Sequence, residues 1–329
     1  MTDISSPNGD RAPGQGRPFA EKRALDGVPS QEGRVALVTG ANSGLGRHTA
    51  MALAAKGARV LLACRNPGKA EAAAQEIANL TAGTAEPVRL DLADLGSVRA
   101  AAAEAMDRSD GVLHLLVNNA GIMANPKRLS ADGHELQLAT NHLGHAALTW
   151  LLMPALQACP GARVVTVSSG AHRGAGLDVE DLDFERRPYD KWAAYNQSKL
   201  ANLLFAFELD RRARAARLDL ISAAAHPGMA RTGLFTSSAR AQGGPALVAL
   251  SAIITRVACQ PAAKGALPQV HAATMPGVQG GDYFGPGGFA EMRGRPVRAE
   301  CAPAARDEHL AARLWKETAR LTGVIPAPS

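Results

Sequence analysis

From Arg34 onward, short apolar runs alternate with longer amphipathic stretches. The segments Val35–Val38, Val60–Ala63 and Leu113–Val117 are almost entirely apolar and of strand length, as expected for strands buried on both faces of a parallel sheet. The pattern predicts strands at Arg34–Thr39, Arg59–Cys64, Pro87–Leu90, Leu113–Val117, Arg163–Ser168 and Asp219–Ala225. Between them it predicts helices at Leu45–Lys56, ended by Gly57, at Lys69–Leu80, at Ser97–Met106 with Asp94 as cap, at Glu135–Ala158 and at Lys191–Arg217. A Gly/Pro-rich stretch, Pro276–Pro296, surrounds one more short strand at Tyr283–Phe284, and a helix near Arg306–Leu321 closes the chain. Strand-then-helix repetition makes βαβ units with right-handed crossovers. The fold class is therefore α/β, a doubly wound parallel sheet between two helical layers.

Residues 1–33 carry several Pro and Gly and no sustained apolar period, so they read as a flexible or loosely docked arm before a single domain at 34–329. A chain of 329 residues with 46% hydrophobic content can bury one large core. No apolar stretch approaches the ~20 residues needed to cross a bilayer, and the N-terminus lacks a signal-peptide core, so a cytoplasmic protein without a membrane span is expected. Cys64, Cys159, Cys259 and Cys301 show no paired spacing or His-rich cluster, which argues for free thiols and against a metal site. The net charge of +6 is spread along the chain without a dense basic block, which speaks against nucleic acid as a partner and for a local phosphate site.

Two distant motifs carry the chemistry. Thr39-Gly40-x-x-x-Gly44-x-Gly46 follows the first strand and opens a helix. Such a turn lets backbone approach a pyrophosphate while unpaired helix amides favour its charge. Tyr195-x-x-x-Lys199 lies near the start of a later helix, where i and i+4 share a face, so an ammonium can stabilise a phenolate. By itself a Tyr-x-x-x-Lys pair is common on helix surfaces; its company gives it meaning.

In this spacing and in the order of further motifs the chain resembles the short-chain dehydrogenase/reductase superfamily. Asp91 ends the third strand, Asn118-Asn119-Ala120-Gly121 follows the fourth, and Asn141 lies in the next helix. Ser168-Ser169 ends the fifth strand, and Pro227-Gly228 with Thr232 follows the sixth. The agreement spans about residues 34–232. The resemblance implies a single-domain Rossmann-type, three-layer α/β/α fold that transfers a hydride between a nicotinamide cofactor and a carbonyl or alcohol. It assigns Tyr195 as general acid and base, Lys199 as its partner and holder of the nicotinamide ribose, Ser169 as the group bonding the reacting oxygen, and Asn141 as support for a water relay. It places Gly40, Asn42, Ser43, Gly44, Leu45 and Gly46 at the phosphates, Asp91 and Leu92 with Asn118, Ala120 and Gly121 at the adenosine half, and Pro227, Gly228 and Thr232 at the nicotinamide. Where NAD-binding relatives carry an acidic residue at the end of the second strand, this chain has Cys64 and then Arg65. A guanidinium pairs with a 2′-phosphate, so NADP(H) is expected over NAD(H), with Ser43 and Arg47 assisting. His142, His145, His172 and His226 are read as structural.

Thr-Gly-Ala-Asn-Ser-Gly-Leu-Gly (39–46), Ala-Cys-Arg (63–65) and Asn-His-Leu-Gly-His (141–145) resemble the retinol dehydrogenase and protochlorophyllide reductase branch. The segment 170–194 between Ser169 and Tyr195 is long, as in that branch, and is expected to border the substrate pocket together with 229–262. Within the latter, Pro245–Ala258 suits either a lid over an apolar small-molecule substrate or a packing surface. The resemblance also implies a homodimer or homotetramer through the long helices. Reduction of a carbon–carbon double bond and a non-catalytic NADP-binding regulator are the alternative functions.

Overall fold

A computed structural model describes residues 25–231 and 259–328; residues 1–24 of the expected arm, Thr232 and Pro245–Ala258 lie outside the described residues. Among the described residues ten strands are formed: β1 (Val35–Thr39), β2 (Arg59–Cys64), β3 (Thr84–Arg89), β4 (Leu115–Asn118), β5 (Ala162–Val167), β6 (Leu220–Ala225), β7 (Ala230–Arg231), β8 (Gln260–Pro261), β9 (Tyr283–Pro286) and β10 (Pro296–Arg298). The helices are α1 (Gly44–Ala55), α2 (Pro67–Leu80), α3 (Leu95–Arg108), α4 (Leu136–Leu138), α5 (Gly144–Leu151), α6 (Met153–Gln157), α7 (Lys191–Ala215), α8 (Ala262–Thr274) and α9 (Glu308–Thr322).

Eight strands form the main sheet in the order β10-β9-β6-β5-β4-β1-β2-β3, while β7 and β8 pair separately. Every pairing in the main sheet is parallel except β10 on β9. Period-two alternation decides which layer each side chain joins. Ala36 and Val38 pack toward α1, α2 and α8, whereas Leu37 between them packs toward α3, α5 and α7. The chain reverses direction across the sheet between β1 and β4, and the crevice outside their carboxyl ends is where such folds bind ligands.

Several elements differ from the sequence reading. The helix expected at 135–158 is three pieces separated by a π-helical turn, Ala139–Leu143, and by a break at Leu152. Met153-Pro154 follows that break, and proline cannot continue the amide ladder. Gly144 begins α5 because a β-carbon there would stand 2.3 Å from the Leu92 carbonyl oxygen, so α5 rests directly on the chain leaving β3. β3 starts three residues before the apolar run because it is the sheet edge, half-solvated and tolerant of Pro87. The short antiparallel β10 was hidden by its polar, proline-led sequence.

The fold also begins before Arg34. Leu25 is buried against Ala52 and Val270, and the Gln31 amide donates to the Lys56 carbonyl at 2.7 Å, so residues 25–33 are fixed to α1 and α8. Helix α7 is enclosed by its own chain: between Ala194 and Asp210 only Asn196 and Phe207 are not buried. Helix α9, capped by Asp307 and ended by a left-handed Gly323, covers it through Trp315, which stacks on Phe205 (5.4 Å) and meets Trp150 edge-on (4.9 Å). The long-helix surface expected to serve association is thus covered by α9 along these contacts. Among the described residues, no helix is long and apolar enough to cross a membrane.

Candidate active site

The glycine-turn end of the crevice is organised by one hydroxyl. Thr39 closes β1, and its Oγ1 accepts the amides of Asn119 and Ala120, each at 2.9 Å, which ties the glycine turn to the loop after β4. The same oxygen lies 2.8 Å from His145 Nε2, while His145 Nδ1 faces the Asn141 carbonyl at 2.9 Å. A carbonyl accepts only, so Nδ1 carries the proton and Thr39 donates to Nε2. Complete burial holds the His145 pKa down to about 3, which keeps the ring in this neutral form. Asn119 Nδ2 adds a bond to the Thr39 carbonyl at 2.8 Å.

Gly40 (φ 65°) and Gly44 (φ 53°) take left-handed conformations that side chains rarely adopt. At Gly46 the reason is space, since a β-carbon would lie 2.5 Å from the Gly40 carbonyl oxygen. The turn thereby folds tightly under the first turn of α1, whose N-cap Ser43 makes no side-chain cap and which has no acidic residue to neutralise its free amides. This is a cradle suited to an anion.

At the end of β2, burial pushes the Cys64 thiol up to about 11, so it stays protonated and neutral at ordinary pH. Arg65 is 79% exposed and stands 3.9 Å from Asp91, while Arg47 is paired with Glu76. Asp91 Oδ1 also accepts the Ala93 amide at 3.1 Å. The Asn118 side chain donates to Thr149 Oγ1 of α5 at 2.9 Å, so any part it takes in the crevice is through its backbone.

The chemical end is built on β5, α7 and the π-helical turn. Ser168 Oγ donates to the Lys199 carbonyl at 2.7 Å, fixing α7 to the end of β5. Ser169 is hydrogen-bonded to the buried Tyr195 hydroxyl; burial raises the Tyr195 pKa and this bond lowers it in part. Lys199 is 4% exposed, its Nζ donates to the Val167 carbonyl at 3.3 Å, and burial pulls its pKa down to about 8. Asn141 clamps the loop after β4, accepting the Ile122 amide at 2.8 Å and donating to the Ile122 carbonyl at 3.0 Å and to Ser198 Oγ at 2.9 Å. Its main-chain carbonyl holds the His145 proton, so the π-helical turn serves the Thr39 link described above. A β-carbon on Gly121 would stand 3.3 Å from Lys199 Nζ and 3.2 Å from Asn141 Oδ1, so only glycine lets both approach freely.

A cavity of about 480 Å³ joins these groups, with Leu45, Gly121, Ser169, Tyr195, Lys199, Pro227 and Gly228 all on its wall. Met123, Trp192, Met229 and Met292 give it apolar surface. Arg173 and Trp192 fall in the segment 170–194 expected to border the pocket, whereas Glu291 and Met292 lie outside the expected segments because no motif marks them. His172, read only as structural, accepts the Ala302 amide on Nε2 (3.1 Å), which leaves Nδ1 as donor to the Ser169 carbonyl (2.7 Å).

The short chain dehydrogenase family profile matches residues 34–243. Human retinol dehydrogenase 13 is 39% identical over 308 residues, covering 90% of this chain and 86% of the human protein, and human retinol dehydrogenase 12 is 39% identical over 295 residues, covering 89% and 87%. Among solved structures, an uncharacterised protein from Mycobacterium paratuberculosis is 42% identical with a TM-score of 0.75, covering 92% of this chain and 97% of its own. An NAD(P)-dependent gluconate 5-dehydrogenase structure from Beutenbergia cavernae, with NADP bound at low occupancy, is 28% identical with a TM-score of 0.60, covering 77% of this chain and 95% of its own. Profile, relatives and doubly wound sheet agree, and the chain belongs to the short-chain dehydrogenase family of oxidoreductases, in its retinol dehydrogenase-like branch.

Proposed function

We propose that this oxidoreductase is NADP(H)-dependent and interconverts a carbonyl compound and a primary or secondary alcohol, with Tyr195 as general acid in reduction and general base in oxidation. The observation that carries this reading is the convergence of Ser169, Tyr195 and Lys199 on one cavity that also reaches Leu45 and Gly121 beside the glycine cradle. The nicotinamide, when bound, supplies or takes up the hydride. Ser169 orients the reacting oxygen toward the Tyr195 hydroxyl, which delivers the proton to the nascent alkoxide. The Lys199 ammonium stabilises the phenolate left behind, and its three donors suit the ribose hydroxyls. Asn141 acts by holding Ile122 and Ser198, and through them the walls around Lys199. The apolar lining and the likeness to retinol dehydrogenases favour an apolar substrate. Spectrophotometric assay with a panel of aldehydes, ketones and secondary alcohols tests the reading; no hydride transfer with any of them, under saturating NADPH or NADP, would defeat it.

The cofactor preference rests on charge. With Cys64 neutral, β2 does not end in an acidic side chain, and the exposed Arg65 guanidinium, only loosely paired with Asp91 at 3.9 Å, can pair with a 2′-phosphate. The bound NADP in the Beutenbergia structure is consistent with this site type. Cys64→Asp with Arg65→Gln is expected to weaken NADPH binding by about 10- to 100-fold, the value of one charge-assisted pair plus one repulsion, while NADH binding holds or improves. Fluorescence titration of both reduced cofactors checks it, and equal losses for the two would count against the preference.

A pH dependence follows from Lys199. Its pKa lies below the usual lysine value, so it is charged below about pH 8 and loses its proton as pH rises through that value. Carbonyl reduction needs Tyr195 protonated and Lys199 charged, both forms of the acid side. The kcat/KM for reduction should therefore be level at lower pH and fall above about pH 8. A profile rising through that range would contradict the assigned roles.

A further inference from the structure

The mouth of the cavity carries a charge arrangement that the hydride-transfer chemistry does not require. Arg173, just after Ser169 in the 3-10 turn Gly170–Gly174, donates to Glu291 Oε2 at 2.8 Å and to the Glu300 carbonyl at 2.7 Å. Both Arg173 and Glu291 line the cavity that holds Ser169 and Tyr195. His226 Nε2 stands 3.0 Å from the same carboxylate oxygen but off the hydrogen-bonding direction, so this buried nitrogen lacks a well-aligned partner. His226 Nδ1 accepts the Gly228 amide at 3.3 Å, and burial lowers the ring's pKa to about 4, so the imidazole adds no charge at neutral pH.

Glu291 is held in place at a conformational cost. Ala290 (φ 49°) and Glu291 (φ 53°) are successive non-glycine residues in the left-handed region, an arrangement that persists only where surrounding contacts impose it. Those contacts are the Arg173 pair, the Glu291 amide bonded to the Gly288 carbonyl (2.9 Å), and the Met292 carbonyl accepting the Met229 amide (3.0 Å). Among the described residues on the cavity wall, Arg173, Lys199, His226 and Glu291 are the titratable groups besides Tyr195, and Lys199 lies deep beside Gly121. At the mouth, therefore, one guanidinium is matched by one carboxylate.

We propose that Glu291 is a specificity-determining residue: by pairing with Arg173 it cancels the guanidinium charge that the described residues place at the substrate mouth and excludes carbonyl compounds that bear a carboxylate. An anionic substrate entering beside Ser169 meets a guanidinium already occupied and a like charge that repels it, whereas a neutral apolar carbonyl meets neither penalty. Selectivity built on a repulsive element of this kind is a difference of affinities, and it inverts when the element is removed. The inference rests on the oxidoreductase reading given above.

The test compares benzaldehyde and 4-carboxybenzaldehyde as substrates of the holoenzyme in the wild type, in Glu291→Gln and in Glu291→Gln/Arg173→Gln, and measures benzoate binding to the same proteins by calorimetry. In Glu291→Gln the carboxylated-to-neutral ratio of kcat/KM should rise about tenfold or more, the scale of one released charge-assisted pair, and benzoate affinity should rise with it. The double variant should return both to wild-type levels. An unchanged ratio in Glu291→Gln, or an equal rise in the double variant, overturns the proposal, since general loosening of the loop would affect both aldehydes alike. If neither aldehyde is turned over by the wild type, that result counts against these compounds as substrates, and the benzoate pattern alone then decides for or against the role of Glu291.

Discussion

Tyr195→Phe is expected to lower kcat/KM for carbonyl reduction by about 10²- to 10⁴-fold, the usual contribution of a positioned proton donor. Cofactor affinity and thermal stability should stay near wild type. The ring packs with Met123, Ala124 and Ala171, and phenylalanine keeps all of that surface. Only the hydroxyl is lost, with its bond to Ser169 and the means of protonating the alkoxide. Rates followed by NADPH absorbance, set beside cofactor titration and melting curves, separate loss of chemistry from loss of structure. Activity within threefold of wild type would remove Tyr195 from the proton-transfer step.

Trp315→Ala is expected to cost about 3–5 kcal/mol, the range for emptying a buried aromatic site. Trp315 is 3% exposed and joins α9 to both α5 and α7 through Trp150 and Phe205, with the Arg212 guanidinium 4.8 Å from its ring. Its indole nitrogen is buried without a hydrogen-bond partner, so Trp315→Phe should cost far less: it keeps most of the apolar area and removes an unsatisfied donor. Melting temperatures of the two variants check the contrast. Because α9 covers the face along Phe205 and Leu209, loosening it with Trp315→Ala should also promote concentration-dependent association visible by light scattering. Association of the wild type through this same face, with α9 in place, would contradict the packing described here.

Much of this molecule is legible in its sequence because parallel strands and their crossover helices obey local periodicities. The apolar runs at 35–38 and 60–63 name β1 and β2, and Asp94 caps α3 by accepting the Ser97 amide at 3.1 Å. Legibility falls where a segment is half-solvated or irregular. β3 and β10 are edge strands with mixed polarity, and the π-helical turn at Ala139–Leu143 leaves a helical pattern intact while shifting its backbone bonds. The use to which that turn is put depends on Thr39, more than a hundred residues away.

The sequence by itself determined the alternation of strands and helices from β1 to β6, the glycine turn after β1 and the shared helical face of Tyr195 and Lys199, because each depends on residues within a few positions of one another. Only the tertiary structure decided that Asn118 turns toward Thr149, that His172 secures the Ser169 carbonyl, that α9 closes over α7, and that Glu291 faces Arg173 across 118 positions of sequence. Such pairs form where the doubly wound sheet brings distant strand ends and loops to one crevice, and no period along the chain records which side chains will meet there.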